Sequence, residues 1–181
     1  MPTPVSIAAR SSSITNSFIN AIIPAVVPTE AEVLEALGVL GIDPENVCCA
    51  YCGDGATEWD HLRPLVVKQK PTGYISEIGN LIPACGRCNQ SKGNKSWRSW
   101  IESNAPRSPK RRGIPNLADR IAHIEAYERW REPVPLDFAS VIEPDIWAKH
   151  WENWERVLAE MRESQKLAAK IRVQLKSWHS T

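Results

Sequence analysis

Two stretches decide the reading of this chain: Cys48-Cys49-Ala50-Tyr51-Cys52, and Asn80-Leu81-Ile82-Pro83-Ala84-Cys85-Gly86-Arg87-Cys88-Asn89. Each holds a C-x-x-C pair, Cys49/Cys52 and Cys85/Cys88, and 32 residues separate the pairs. Four thiolates in two such pairs can satisfy a tetrahedral Zn²⁺ with no open position, the pattern of a structural site. Two disulfides or metal-free buried thiols are the alternatives. Disulfides are disfavoured without a secretion signal. The nearest thing to one, residues 14–28, has only Arg10 ahead of it and is interrupted by Asn16, Asn20 and Pro24. It reads as a structural segment of a cytosolic protein. Cys48 is the spare thiol, with burial its expected fate.

The residues between and after the pairs carry the chemistry. Trp59, His61, Leu65 and Val67 have strand-like spacing, broken by Pro64. A second strand is expected over residues 74–79. A helix is expected from about Arg87 to Ser103, with Trp97, Trp100 and Ile101 on its apolar face and Gly93 as a weak point. Zinc then ties the base of the first strand to the start of the helix. Asp60 and His61 on the strand would face Asn89 on the helix. A carboxylate, an imidazole and an amide oxygen in one place suit phosphodiester hydrolysis. Asp and Asn oxygens are hard ligands suited to Mg²⁺ or Mn²⁺, and a neutral histidine can take a proton from water near pH 7.

Charge supports a polyanionic substrate. Residues 1–59, 60–113 and 114–181 carry net charges of −6, +8 and −1. The central excess marks a nucleic-acid-binding surface, although charge alone would equally describe a solvated basic face. The candidate phosphate contacts are Arg63 beside the Asp-His pair, Arg87, Lys92, Lys95 and Arg98 on the helix, and Lys110, Arg111 and Arg112 in a Pro- and Gly-broken basic loop.

Asp60-His61-Leu62-Arg63-Pro64, then Asn80-Leu81-Ile82-Pro83, then Cys85-x-x-Cys88-Asn89-x-x-Lys92-Gly93-Asn94 closely resembles the HNH endonuclease family, the ββα-metal nucleases. The preceding Cys49-x-x-Cys52 resembles the zinc-bearing, four-cysteine branch of that family. The resemblance covers about 50 residues, Cys48 to Trp97. It implies an α+β fold with a small ββα-metal core and a structural zinc on four cysteines, flanked by N-terminal and C-terminal helices. It implies His61 as general base, Asp60 and Asn89 as ligands of a catalytic Mg²⁺ or Mn²⁺, and Asn80 as the residue that steadies the loop and orients the histidine. The implied reaction is cleavage of DNA, expected to be double-stranded, to 5′-phosphate and 3′-hydroxyl ends. The implied setting is restriction or defence in a bacterial or phage-infected cytoplasm. Two other readings stay open: a zinc-stabilised nucleic-acid-binding module without catalysis, and a structure-specific, nonspecific or RNA-directed nuclease.

The expected organisation is a flexible N-terminus over residues 1–13, a helical segment over 14–47, the nuclease core over 48–104, the basic loop over 105–115 and a helical region over 116–181. Thr29-Glu30-Ala31-Glu32 is a capping-box pattern. A helix over 117–130 precedes a long one from Pro144 to about Trp178, whose stripe runs Trp147, Trp151, Trp154, Leu158, Met161, Ala168, Ile171, Leu175 and Trp178. This stripe would pack on the N-terminal helices or form a homodimer seam. Apolar residues at 43% and charged residues at 24% exclude a chain disordered throughout. No apolar run reaches the roughly 18 residues of a membrane span.

Overall fold

The computed structural model describes residues 4–179. In chain order its elements are α1 (Ser11–Asn20), α2 (Glu30–Val39), β1 (Glu58–His61), β2 (Val66–Val67), β3 (Lys70–Pro71), β4 (Leu81–Ala84), α3 (Gly86–Lys92), α4 (Trp97–Ile101), α5 (Pro109–Arg112), α6 (Leu117–Trp130), α7 (Phe138–Val141) and α8 (Pro144–His179). Two compact units result. Among the described residues, those up to Ile22 and those from Asp137 onward form one; Ile23–Leu136 form the other. The expected helical segment over 14–47 is thereby divided, α1 going to the first unit and α2 to the second. Part of the stretch expected to be flexible, residues 1–13, lies outside the described residues. Within the rest, Ala8–Arg10 form a 3-10 turn that leads into α1.

The unit over 23–136 carries the ββα arrangement, in an α+β fold as expected. β1 pairs antiparallel with β4, His61 opposite Leu81 and Glu58 opposite Ala84, and α3 follows directly. The second strand therefore lies later than its expected place at 74–79. That stretch is irregular because its polar groups are drawn elsewhere: Ser76 N–H donates to Pro24 O at 3.1 Å, and Ser76 O accepts from Val26 N–H at 2.8 Å. The helix expected over 87–103 is two helices. Gly93 stands at φ +50, a left-handed conformation that costs glycine little, and the chain turns there between α3 and α4.

Local chemistry places the surrounding helices. Thr29 Oγ1 accepts from Glu32 N–H while the Glu32 carboxylate accepts from Thr29 N–H, closing the capping box of α2. α2 buries Ala36 and Leu37, α4 buries Trp97, Trp100 and Ile101, and α6 buries Ile124 and Tyr127, all in one core with Leu62 and Ile82 of the hairpin region. Tyr51 meets Trp100 edge-on at 5.1 Å. Tyr127 Oη donates to Leu81 O at 2.7 Å, so α6 braces the strand behind the hairpin.

In the other unit α1 packs on α8. Trp154 Nε1 donates to Thr15 Oγ1 at 3.0 Å, and Phe18 and His150 rings lie 5.4 Å apart. Gln165 Oε1 of α8 accepts from Ile7 N–H at 2.7 Å. α8 runs unbroken for 36 residues. Among the described residues no helix is long and apolar enough to cross a membrane.

Candidate active site

Two tight turns bring the four cysteines together. Gly53, at φ +82, donates its N–H to Cys49 O at 2.8 Å, and Cys88 N–H donates to Cys85 O at 3.0 Å. The Sγ atoms of Cys49, Cys52, Cys85 and Cys88 all lie within 4.8 Å of one another, and all four residues are buried. Cys52 and Cys85 Sγ are 3.7 Å apart, close to the roughly 3.8 Å between two thiolates on a tetrahedral Zn²⁺. The donor set is thus positioned to bind zinc. Cys48 is half-buried and stands outside the cluster. The cluster joins the loop before β1 to the β4–α3 junction, which sets α3 against β1.

Strand alternation then decides which side chains meet α3. Glu58 and Asp60 share a face. Asp60 is 4% exposed and Lys92 fully buried. Lys92 Nζ lies 3.2 and 3.1 Å from the two Asp60 oxygens and also donates to His61 O at 2.7 Å. Tyr51 Oη donates to Asp60 Oδ2 at 2.6 Å. Burial pushes the Asp60 carboxyl up and the Lys92 ammonium down, each opposed by the other's charge. Burial also raises Tyr51 well above its ordinary value, so it stays a donor. Lys92 was expected at the nucleic-acid surface. It is instead a buried counter-ion, its ammonium enclosed between β1 and α3 and out of reach of a phosphate.

His61 points from the opposite face. Its Nε2 lies 2.7 Å from Ser76 Oγ. Burial, and after it the Lys92 ammonium, push the imidazole down to about 4, so the ring is neutral at pH 7. Asn80 is fully buried and stitches the segment after His61 to the loop before β4. Its Oδ1 accepts from Arg63 N–H at 2.7 Å, and its Nδ2 donates to Arg63 O at 3.1 Å and Ile75 O at 3.3 Å.

Asn89 meets Glu58 rather than Asp60: Asn89 Nδ2 donates to Glu58 Oε2 at 2.7 Å. Gly86 makes room, since a Cβ there would stand 2.8 Å from Glu58 Oε1. Glu58 and Asn89 offer hard oxygen donors on the accessible side of the hairpin–helix junction, with the Asp60 carboxylate two residues along the same strand face. This donor chemistry fits Mg²⁺ or Mn²⁺. Glu58, Ser76 and Tyr51 carry no motif signal. Strand alternation from Asp60 points to Glu58 alone.

The HNH endonuclease family model matches residues 49–95. Residues 49–95 are an HNH endonuclease domain. Two curated relatives are similar to part of the chain, both named CRISPR-associated endonuclease Cas9. The protein of Corynebacterium diphtheriae is 35% identical over 68 residues, covering 35% of this chain and 6% of the relative. That of Actinomyces naeslundii is 29% identical over 98 residues, covering 52% of this chain and 8% of the relative. The chain thus spans less than a tenth of the length of either relative. No solved structure matches.

The basic residues around the HNH domain differ in what they touch. Arg87, Lys95, Lys110 and Arg111 are exposed. Arg98 pairs with Glu125 and Arg63 with Glu128. Arg112 Nη1 donates to Cys88 Sγ at 3.6 Å and its Nη2 to Asp54 at 3.0 Å, placing its charge against the thiol cluster. The basic loop expected over 105–115 contains α5, whose N-cap Ser108 accepts from Arg111 N–H.

Replacing Lys92 by Met should lower stability by about 3–5 kcal/mol, because it strands the Asp60 carboxylate in a buried site. Urea denaturation measures this. Adding Asp60→Asn to Lys92→Met should recover part of the loss. An unchanged midpoint in the single variant would refute the buried ion pair.

Proposed function

We propose that this chain is a metal-dependent DNA endonuclease in which neutral His61 takes the proton of the attacking water. The observation that carries the reading is His61 itself: desolvated, hydrogen-bonded to Ser76, and joined through Asn80's grip on Arg63 to the hairpin of an HNH domain. Asn89 and Glu58 are the proposed accessible ligands of a catalytic Mg²⁺ or Mn²⁺, and Asp60, expected to face Asn89, joins them by turning one oxygen away from the Lys92 ammonium. Such an ion supplies positive charge to the scissile phosphate and the leaving oxygen. Ser76 orients the imidazole. Asn80 fixes the chain after His61, so the base approaches from one direction. Lys92 holds the His61 carbonyl and the Asp60 carboxylate in register. The four cysteines hold a structural Zn²⁺, and the exposed Arg87, Lys95, Lys110 and Arg111 contact backbone phosphates.

The names of the two relatives as CRISPR-associated endonucleases favour a restriction or defence role in a bacterial or phage-infected cytoplasm. A cut in both strands needs two such sites. The stripe residues Ile171 and Leu175 of α8, both exposed, are the proposed seam for a second copy.

Incubation of a supercoiled plasmid with Mg²⁺, Mn²⁺ or no added divalent ion tests the reading. Nicked or linear products are expected only with the ion, and an uncut plasmid under all conditions would overturn it. The acid limb of the pH profile tests the base. His61 titrates near 4 instead of its ordinary 6.5, and the neutral form is the active one. The kcat/KM value should therefore hold as pH falls through 6.5 and drop only as it nears 4. A drop centred at 6.5 would remove the half-buried His61 from the base's role.

A further inference from the structure

We infer that the cleft between the turn after β1 and helix α6 takes a backbone phosphate of the nucleic acid, and that Glu125 and Glu128 are the carboxylates this phosphate displaces. The inference rests on the nuclease reading above and adds a binding site and its control to it. The cleft encloses about 420 Å³ and is lined by Arg63, Arg98, Glu125, Glu128, Arg129 and Glu132. Its key member is Arg63, two residues past His61.

Arg63 is built into place but incompletely satisfied. Asn80 grips its backbone from both sides, and its guanidinium lies over the Tyr74 ring at 5.8 Å. Nη1 is buried with no hydrogen-bond partner. Nη2 lies 3.6 Å from Glu128 Oε1, an ion pair longer than an N–H···O hydrogen bond. A guanidinium carries five donors in a planar fork that matches phosphate oxygens bidentately, and a buried donor without a partner is costly. A phosphate oxygen would satisfy what Glu128 leaves unmet. Arg98 repeats the arrangement nearer solvent. It lies over the Trp97 ring at 4.8 Å and pairs with Glu125. Glu125 and Glu128 are three residues apart on α6, so they project to the same side, and Arg129 adds a third guanidinium to the wall. Both carboxylates are about a third exposed, which keeps each pair weak and exchangeable. α6 therefore presents two carboxylates to arginines that a phosphodiester backbone would bind more fully.

Fluorescence anisotropy of a short labelled duplex, with no divalent ion added, tests this across a salt series. Glu125→Gln/Glu128→Gln should bind about 3- to 10-fold tighter than wild type, the factor expected from removing two weak competing ion pairs. Arg98→Ala should bind more weakly and lower the slope of log affinity against log salt by about one. Glu125→Gln alone, at an accessible position, should tighten binding in the same direction and serves if the double variant melts early. Unchanged affinity in both glutamate variants, with wild type binding the duplex, overturns the inference and leaves the nuclease reading standing. An unchanged salt slope in Arg98→Ala does the same. Failure of wild type to bind any duplex overturns the nuclease reading and this inference with it.

Discussion

His61→Ala should cut phosphodiester cleavage by about 10²–10⁴-fold, the usual contribution of a positioned general base, with the fold intact. The side chain is half-buried and makes a hydrogen bond to Ser76 Oγ. What holds the hairpin to α3 at this position is the His61 carbonyl, which accepts from Lys92 Nζ. Truncating the imidazole leaves that bond untouched. The melting temperature and duplex binding should therefore stay near wild type while single-turnover cleavage falls. Ser76→Ala should cost less than His61→Ala, because it loosens the ring without removing the base. Wild-type cleavage by His61→Ala would remove the residue from the mechanism. Loss of the fold would show that the imidazole is a structural group.

Cys85→Ser should be the most damaging substitution for stability. Cys85 caps α3, and its carbonyl accepts from the Cys88 and Asn89 N–H groups. Its thiol also joins the cluster that ties the Cys49–Cys52 turn to this junction. Structural zinc in small domains contributes about 10–16 kcal/mol, comparable to or larger than the whole stability of a domain, about 5–15 kcal/mol. Removing one ligand should release the metal and unfold the unit over Ile23–Leu136, taking Asn89 away from Glu58. Elemental analysis for zinc and a thermal melt measure this together. Cys48→Ser is the control, since Cys48 stands outside the cluster, and it should keep a full complement of zinc. Retention of that complement by Cys85→Ser, or its loss from Cys48→Ser, would refute the ligand assignment.

Sequence alone determined what depends on spacing and local chemistry. The two C-x-x-C pairs specify a four-thiol site because each pair can close only a tight turn. The Asp60-His61 and Asn89 strings mark an HNH domain because residue type and order survive without coordinates. Thr29 and Glu32 announce the start of α2 because a capping box is satisfied within one turn. The tertiary structure decided what depends on burial and on which faces meet. Lysines have the same composition signal whether solvated or enclosed, so only packing shows Lys92 buried against Asp60 while Lys95 is exposed. The second strand sits at Leu81–Ala84 because long-range bonds from residues 24–26 hold Ser76 in a loop. Asn89 finds Glu58 because the four-cysteine junction sets the height of α3 along β1. Arg63 and Arg98 face carboxylates of α6 that lie more than 25 residues away in sequence. Such pairings come from the folded core, where distant segments compete for the same few positions and no local pattern records which of them arrives.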